Sequence, residues 1–230
     1  MVITESMTVL VLAAGLSRRM GNDNKLLLPF GQSTILATTL TNILNANIGQ
    51  VLVITGHEAQ SVQATLVADL KNDPLSIFVI QKETASKMTI LTNNHYEKGM
   101  TTSIQTGVEA ADADSLGYMI CLSDMPFITP SEYAFLKNEC LKILATDKQA
   151  IIQPVFKGER GNPTIFASFY KKHILELTYT EGCKPIVQAH QSHVYLVEMP
   201  TDSVLRDIDS KGDYEALNKF TAISNPKPNL

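Results

Sequence analysis

Leu12-Ala13-Ala14-Gly15-Leu16-Ser17-Arg18-Arg19-Met20-Gly21, followed by Asn24-Lys25 and Leu26 to Pro29, is the stretch on which the reading of this chain turns. The apolar, partly β-branched run Thr8 to Leu12 stops at small residues, and these give way to two arginines, a glycine and a lysine. A strand therefore feeds a loop of phosphate size. Small residues let a backbone approach a ligand closely and leave its N–H groups free, while arginine and lysine supply the cations an oligophosphate needs.

Outward from that loop, apolar residues from Thr34 through Leu40, Ile43 and Leu44 recur at helical spacing, with Ser33 or Thr34 as the cap. Val51 to Ile54 reads as a second strand, ended by Thr55-Gly56-His57, and a helix is expected from about Ala59 to Leu70. This β-α-β-α alternation implies a parallel sheet. Either Ile77 to Ile80 or Met88 to Leu91 could supply the third core strand. The second is favoured because it leads into the glycine-containing loop Asn93 to Ser103, which opens a helix reaching about Ala111.

Tyr118 to Leu122 is a continuous apolar run, as in a strand buried on both faces. It ends in Ser123-Asp124-Met125-Pro126, which puts an aspartate where open α/β sheets bind ligands. Thr129-Pro130-Ser131-Glu132 is a capping box with proline at the first helical position, opening a helix to about Leu144. Ile151 to Val155, a Lys157 to Gly161 turn and Thr164 to Phe166 suggest an antiparallel excursion. Helices over residues 168–176 and 184–190, a strand over Val194 to Val197 and a last helix from Asp213 to Phe220 complete the pattern. The expectation is a single-domain, Rossmann-like three-layer α/β/α sandwich with a mostly parallel, mixed central sheet. The domain would span residues 1–223, with 224–230 as a frayed tail.

Composition narrows the function. The 230 residues are 44% hydrophobic and 18% charged, ordinary globular values. No apolar run approaches the roughly 20 residues of a membrane helix, and a cytoplasmic protein is expected. A formal charge of −4 disfavours a nucleic-acid binder, whose phosphate contacts need a basic face. Cys121, Cys140 and Cys183 are widely spaced and suggest neither a disulfide framework nor structural zinc. His173, His190 and His193 read as surface residues.

Two common phosphate loops fail on spacing. Gly15 and Gly21 are separated by five residues and Lys25 lies four further on, with no Ser or Thr after it, so this is not a Walker A loop. The dinucleotide pattern G-x-G-x-x-G is absent. The stretch resembles instead the L-A-[AG]-G-x-S-x-R-M-G signature, followed by a lysine, of nucleotidyltransferases with a glycosyltransferase-A-like fold. Four further motifs in order resemble the branch that handles the molybdenum cofactor. They are Asn93-x-x-Tyr96-x-x-Gly99-Met100-x-x-Ser103-x-x-x-Gly107, Leu122 to Pro126, Gly158-x-x-Gly161-Asn162-Pro163, and Asp207-Ile208-Asp209-Ser210 with Asp213-Tyr214.

The resemblance implies a Mg²⁺-dependent transfer of a nucleoside monophosphate to a molybdopterin phosphate, with pyrophosphate leaving. Arg19, Lys25 and Asp124 would be catalytic. Leu12, Ala13, Ala14, Gly15, Ser17, Arg19, Lys25, Gly56, Gly99 and Ser103 would bind the nucleotide, Arg160 and Asn162 the acceptor, and Asp124 with Asp209 the metal. Ala14, where guanylyl-transferring members tend to carry glycine, favours CTP. A molybdoenzyme or its chaperone would be the onward partner, with no nucleic acid or membrane involved. The alternatives are GTP as donor, a sugar or polyol phosphate as acceptor, or a non-catalytic protein that delivers molybdenum cofactor.

Overall fold

The seven residues of β1 (Met7–Ala13) are almost all buried, and a strand buried on both faces calls for a neighbour on each side and helices above and below. The computed structural model describes residues 6–20, 23–72 and 88–215. After β1 come 3₁₀ turns at Arg18–Met20 and Lys25–Leu27, the small hairpin β2 (Pro29–Phe30) and β3 (Ser33–Thr34), and α1 (Ile35–Asn45). Then follow β4 (Gly49–Thr55), α2 (Ala59–Asn72), β5 (Met88–Thr92), α3 (Met100–Ala110), β6 (Gly117–Leu122) and α4 (Pro130–Thr146). The last third holds β7 (Ile151–Phe156), β8 (Glu159–Arg160), β9 (Thr164–Ala167), α5 (Lys171–Leu175), α6 (Lys184–Ala189) and β10 (Val194–Glu198).

The eight-stranded main sheet runs β10-β7-β9-β6-β1-β4-β5, with β8 hydrogen-bonded to β7. β1 pairs in parallel with both β4 and β6. From β1 the chain steps outward to β4 and β5, then returns to place β6 on the other side of β1. Right-handed crossovers put the outward and returning helices on opposite faces. The outward helices α1 and α2 pack on each other, and α3, on the return from β5 to β6, packs on β1, β4 and α5; α4, which follows β6, packs on α1. The reversal of direction beside β1 creates a crevice at the C-terminal ends of β1 and β6.

β9 is antiparallel to both β6 and β7, which leaves β6, β7 and β10 running the same way. The entrance to β9, rather than its exit, thus reaches the edge where β1 and β6 end. That places Gly161 and Asn162 at the same rim as Asp124.

Local chemistry fixes the elements. Thr34 caps α1 by accepting from the Ala37 N–H, and Ile35, Leu36, Leu40, Ile43 and Leu44 turn inward. Thr129 and Glu132 form the expected reciprocal box at α4. The core strand after α2 is β5, paired in parallel with β4; the competing run at residues 77–80 lies outside the described residues. The region expected as one helix over 168–176 divides into a 3₁₀ turn (Ser168–Tyr170) and α5. The final helix begins earlier than Asp213, with 211–215 helical, because Ser210 caps it and Asp213 returns a bond to the Ser210 N–H. Its expected remainder and the tail from Ser224 lie outside the described residues. Among the described residues no helix is long and apolar enough to cross a membrane.

Candidate active site

The loop after β1 is held to the sheet at its root. The Ser123 hydroxyl, just past β6, donates to the Leu12 carbonyl at 2.6 Å. Ala13 is the last β1 residue, opposite Thr55, and Ala14 is buried. A Cβ on Gly15 would meet no atom of the described residues within 4 Å. Ser17 adopts a left-handed backbone at φ 47°, and its hydroxyl accepts from the Lys25 N–H at 3.3 Å. Gly21 lies outside the described residues.

Lys25 is the centre of the charge cluster. Its Nζ donates to Asp124 Oδ2 at 2.5 Å and to Asp209 Oδ1 at 2.8 Å, and Arg19 Nη1 donates to Asp209 Oδ2 at 2.9 Å. Three segments distant in sequence therefore converge on one point. Asp124 and Lys25 are largely enclosed, whereas the Arg19 side chain is 74% exposed and free to reach a ligand. Burial pulls the Lys25 ammonium down, but Asp124 and then Asp209 more than reverse this, and its pKa is raised above the ordinary lysine value. Asp124 Oδ1 is buried and has no hydrogen-bond partner among the described residues. Asp207 stands beside the cluster, its carboxyl pushed up first by desolvation and then by the charges of Asp209 and Asp124.

Asp209 is delivered from far along the chain. The Ile208 N–H donates to the Asp124 carbonyl at 3.1 Å. Upstream, the Glu132 carboxylate accepts from Thr201 Oγ1 and Ser203 Oγ at 2.5 and 2.8 Å, as well as from Thr129. Burial pushes the Glu132 carboxyl up, yet these bonds prevail and hold it below the ordinary glutamate range. The same segment touches the opposite rim: the Asn162 N–H donates to the Val204 carbonyl at 2.9 Å, and a Cβ on Gly161 would fall 2.3 Å from that oxygen.

Gly56 is the contact point of another wall. A Cβ there would lie 2.6 Å from Tyr96 Cβ and 2.8 Å from Ala14 Cβ, so only glycine permits this approach. Gly99, at φ 110°, packs on the Thr180 carbonyl, which a Cβ would strike at 2.4 Å. Ser103 is buried and accepts from Asn93 Nδ2 at 3.0 Å, inside the loop it helps to shape. Beside Gly99 opens a cleft of about 1020 Å³, lined by Met100, Leu122, Phe166, Gln188, Arg160 and Asn162 among others. Arg160 is exposed and donates to Gln153 Oε1 at 3.2 Å.

Lys25, Arg19, Asp124 and Asp209 thus form one cluster; Ala14 and Gly56 meet at a second point, and Gly99, Arg160 and Asn162 share the cleft. Sequence reading missed Asn24, Glu58, Glu132, Tyr96 and the Thr180 to Gly182 loop as parts of this assembly. Asn24, Tyr96 and Glu132 each stand in a motif legible in the sequence, but their partners at the site are distant in the chain. His173 is exposed as expected. His190 packs edge-on against Tyr170, and His193 Nδ1 lies 2.8 Å from Asp147 Oδ2, so neither is a free surface residue. Among the described residues no group of three or more His, Cys, Asp or Glu is placed to hold a metal.

Comparison with known proteins identifies the family and the fold. A model of the MobA-like NTP transferase domain matches residues 9–194. Over 216 residues the chain is 25% identical to the molybdenum cofactor cytidylyltransferase of Escherichia coli strain K12, covering 93% of this chain and 97% of that protein. The fold is similar to that of a nucleotidyl transferase from Methanothermobacter thermautotrophicus, with a TM-score of 0.74 at 20% identity over 96% of this chain and 99% of that one. It is also similar to Rv0371c of Mycobacterium tuberculosis H37Rv solved in complex with manganese. There the TM-score is 0.63 at 19% identity, covering 93% of this chain and 98% of the other.

Proposed function

The chain belongs to the MobA-like NTP transferase domain family and is a nucleotidyltransferase; from that premise we propose that it transfers CMP from CTP to the phosphate of a molybdopterin-type acceptor. An acceptor phosphate oxygen attacks the α-phosphorus, the bond to the β-phosphate oxygen breaks, and pyrophosphate leaves. Such chemistry needs little covalent help from the protein, and positioning with charge neutralisation supplies most of the rate.

The observation that carries the reading is the convergence of Lys25, Asp124 and Asp209 beside a small-residue loop at the ends of β1 and β6. Lys25 would bind toward the α-phosphate and acceptor, and Arg19, exposed at the rim, the outer phosphates. The backbone from Ala14 to Ser17 would cradle the chain of phosphates. The carboxylates fit Mg²⁺, a hard ion that takes oxygen ligands: they meet at a point already holding a cation, and Asp124 Oδ1 is a buried oxygen lacking a partner among the described residues. When bound there, the ion would neutralise phosphate charge.

Ala14 supports a pyrimidine, because its methyl group occupies the wall shared with Gly56 and Tyr96. The cleft carrying Arg160 and Asn162 opens next to Gly99 and Leu122 and suits an acceptor with an anionic group and a flat body. The test is to supply Mg²⁺ and molybdenum cofactor with CTP, GTP, ATP or UTP separately and to measure pyrophosphate. Release with CTP is expected. Release with GTP alone would reassign the base, and no release with any nucleotide would overturn the molybdopterin-type acceptor.

A further inference from the structure

We infer that Asn24 and Glu58 are a positioning pair for Lys25, locking the phosphate side of the nucleotide site to its base side. The inference rests on the reading above, in which Lys25 binds phosphate. Asn24 precedes Lys25 and is buried. Its Oδ1 accepts from the Leu26 N–H at 3.1 Å, capping the 3₁₀ turn that Lys25 opens. That bond fixes the amide's orientation, because only an oxygen can accept from an N–H, and Nδ2 must face the other way. There it donates to Glu58 Oε2 at 2.9 Å.

Glu58 is an unusual residue for its place. It adopts φ 49°, and among the described residues the only other non-glycine residues with positive φ are Ser17, Asn47 and Lys157. Such conformations are disfavoured for residues with a Cβ and persist where the surroundings demand them. Its carbonyl accepts from the Val62 N–H as α2 begins, a position at which Ser, Asp or Asn would cap the helix with its own side chain. Glu58 is exposed, and a negative charge at a helix start is favourable without any contact to Asn24, so the bond to Asn24 is not required for that effect.

The second left-handed residue at this site, Ser17, accepts from the Lys25 N–H. The Lys25 turn is therefore gripped from both sides by residues in costly backbone conformations. Glu58 lies two residues beyond Gly56, which touches Ala14 and Tyr96. One hydrogen bond thus couples the wall nearest the base to the lysine nearest the phosphates and sets the distance between the two ends of the nucleotide.

An exchange of partners separates this role from capping and from general stability. Asn24→Asp keeps the oxygen that accepts from Leu26 but sets two carboxylates against each other. It should lower kcat/KM roughly tenfold to a hundredfold with the unfolding midpoint little changed. Glu58→Gln retains an accepting oxygen and should stay within about threefold of the parent. In the double variant, Asn24→Asp with Glu58→Gln, the introduced amide can donate to the introduced carboxylate, and most of the loss should return. On a Lys25→Met background Asn24→Asp should cost less than about twofold, because a pair acting through Lys25 has nothing left to place.

Full activity in Asn24→Asp, no recovery in the double variant, or an undiminished loss on the Lys25→Met background would each overturn the inference. Calorimetric binding of CTP with Mg²⁺ to the same variants provides the second readout. Should the parent release no pyrophosphate, the proposed function fails by that result alone. The binding series then decides the positioning role by whether Asn24→Asp weakens the nucleotide and the exchange restores it.

Discussion

The two halves of the crevice are built on opposite principles. On the side of β1 and β6, charge is crowded and already compensated: Lys25 bridges Asp124 and Asp209, and Arg19 completes the set. On the side of β7 and β9, the cleft is wide, mixes apolar residues with glutamine amides, and holds Arg160 exposed, its guanidinium bonded to the Gln153 amide oxygen. The contrast teaches how a transferase can treat its two substrates. On the proposed reading, the half that would meet a triphosphate must present the same charges to every nucleotide, and bonds fix them in advance. The half that would meet the acceptor keeps space and an arginine held by a neutral amide.

The largest expected effect comes from breaking the crowded half. Asp124→Ala removes one Lys25 partner and the buried oxygen suited to a metal, a loss worth roughly several kcal/mol. At about 1.4 kcal/mol per decade, turnover by pyrophosphate release should fall at least a hundredfold while acceptor affinity changes little. Near-parental turnover would sink the assignment.

Next comes the strut common to both halves. Glu132→Ala strips Thr201 and Ser203 of their acceptor and loosens the segment that reaches Asn162 through Val204 and Asp124 through Ile208. A loss of about 1–3 kcal/mol in denaturant unfolding is expected, with poorer KM for both substrates. The pH dependence follows from the lowered carboxyl. Its stabilisation is present above the ordinary glutamate pKa and is lost as pH falls through the lower folded value. Glu132→Gln should flatten the acid limb of the stability curve; an unchanged limb would count against the carboxylate's role.

Smaller effects test each half alone. Arg160→Ala should raise the acceptor KM about tenfold, the scale of a charge-assisted hydrogen bond, and leave the nucleotide KM unchanged; the reverse pattern would exchange the halves. Ala14→Gly should shift the CTP to GTP ratio of kcat/KM toward GTP by a few-fold, on the scale of a methyl group in a pocket. No shift would remove Ala14 from base selection.

Much of this was legible in the sequence because it is local. The apolar run into small residues gives β1 and its loop, the box at Thr129 and Glu132 starts α4, and the turn after β7 marks the antiparallel return. Asp124 stands just past the end of β6 and Lys25 in the segment that follows the loop out of β1, so the pairing of these neighbouring parallel strands brings both to one edge of the sheet. What sequence reading missed depends on partners far apart in the chain. Glu132 reads as a cap and nothing more, yet it also accepts bonds from residues 69 and 71 positions away. Asn24 and Glu58 are 34 positions apart, and no periodicity announces their bond. His193 reads as a surface residue because its partner, Asp147, lies at the end of another helix.

The reversed strand β9 has a further consequence. Its pairing with β6, from Gly117 with Ala167 to Ile120 with Thr164, locks the strand beyond the turn, and β7 locks the chain before it. The residues between these two ladders, 157–163, fold back as β8 onto the end of β7 and are tied to the rest of the rim by the Asn162 bond to Val204. A hairpin so fastened should accept changes at its exposed Glu159 and Arg160 without disturbing the register of the strands that lead to Asp124 and the loop after β1.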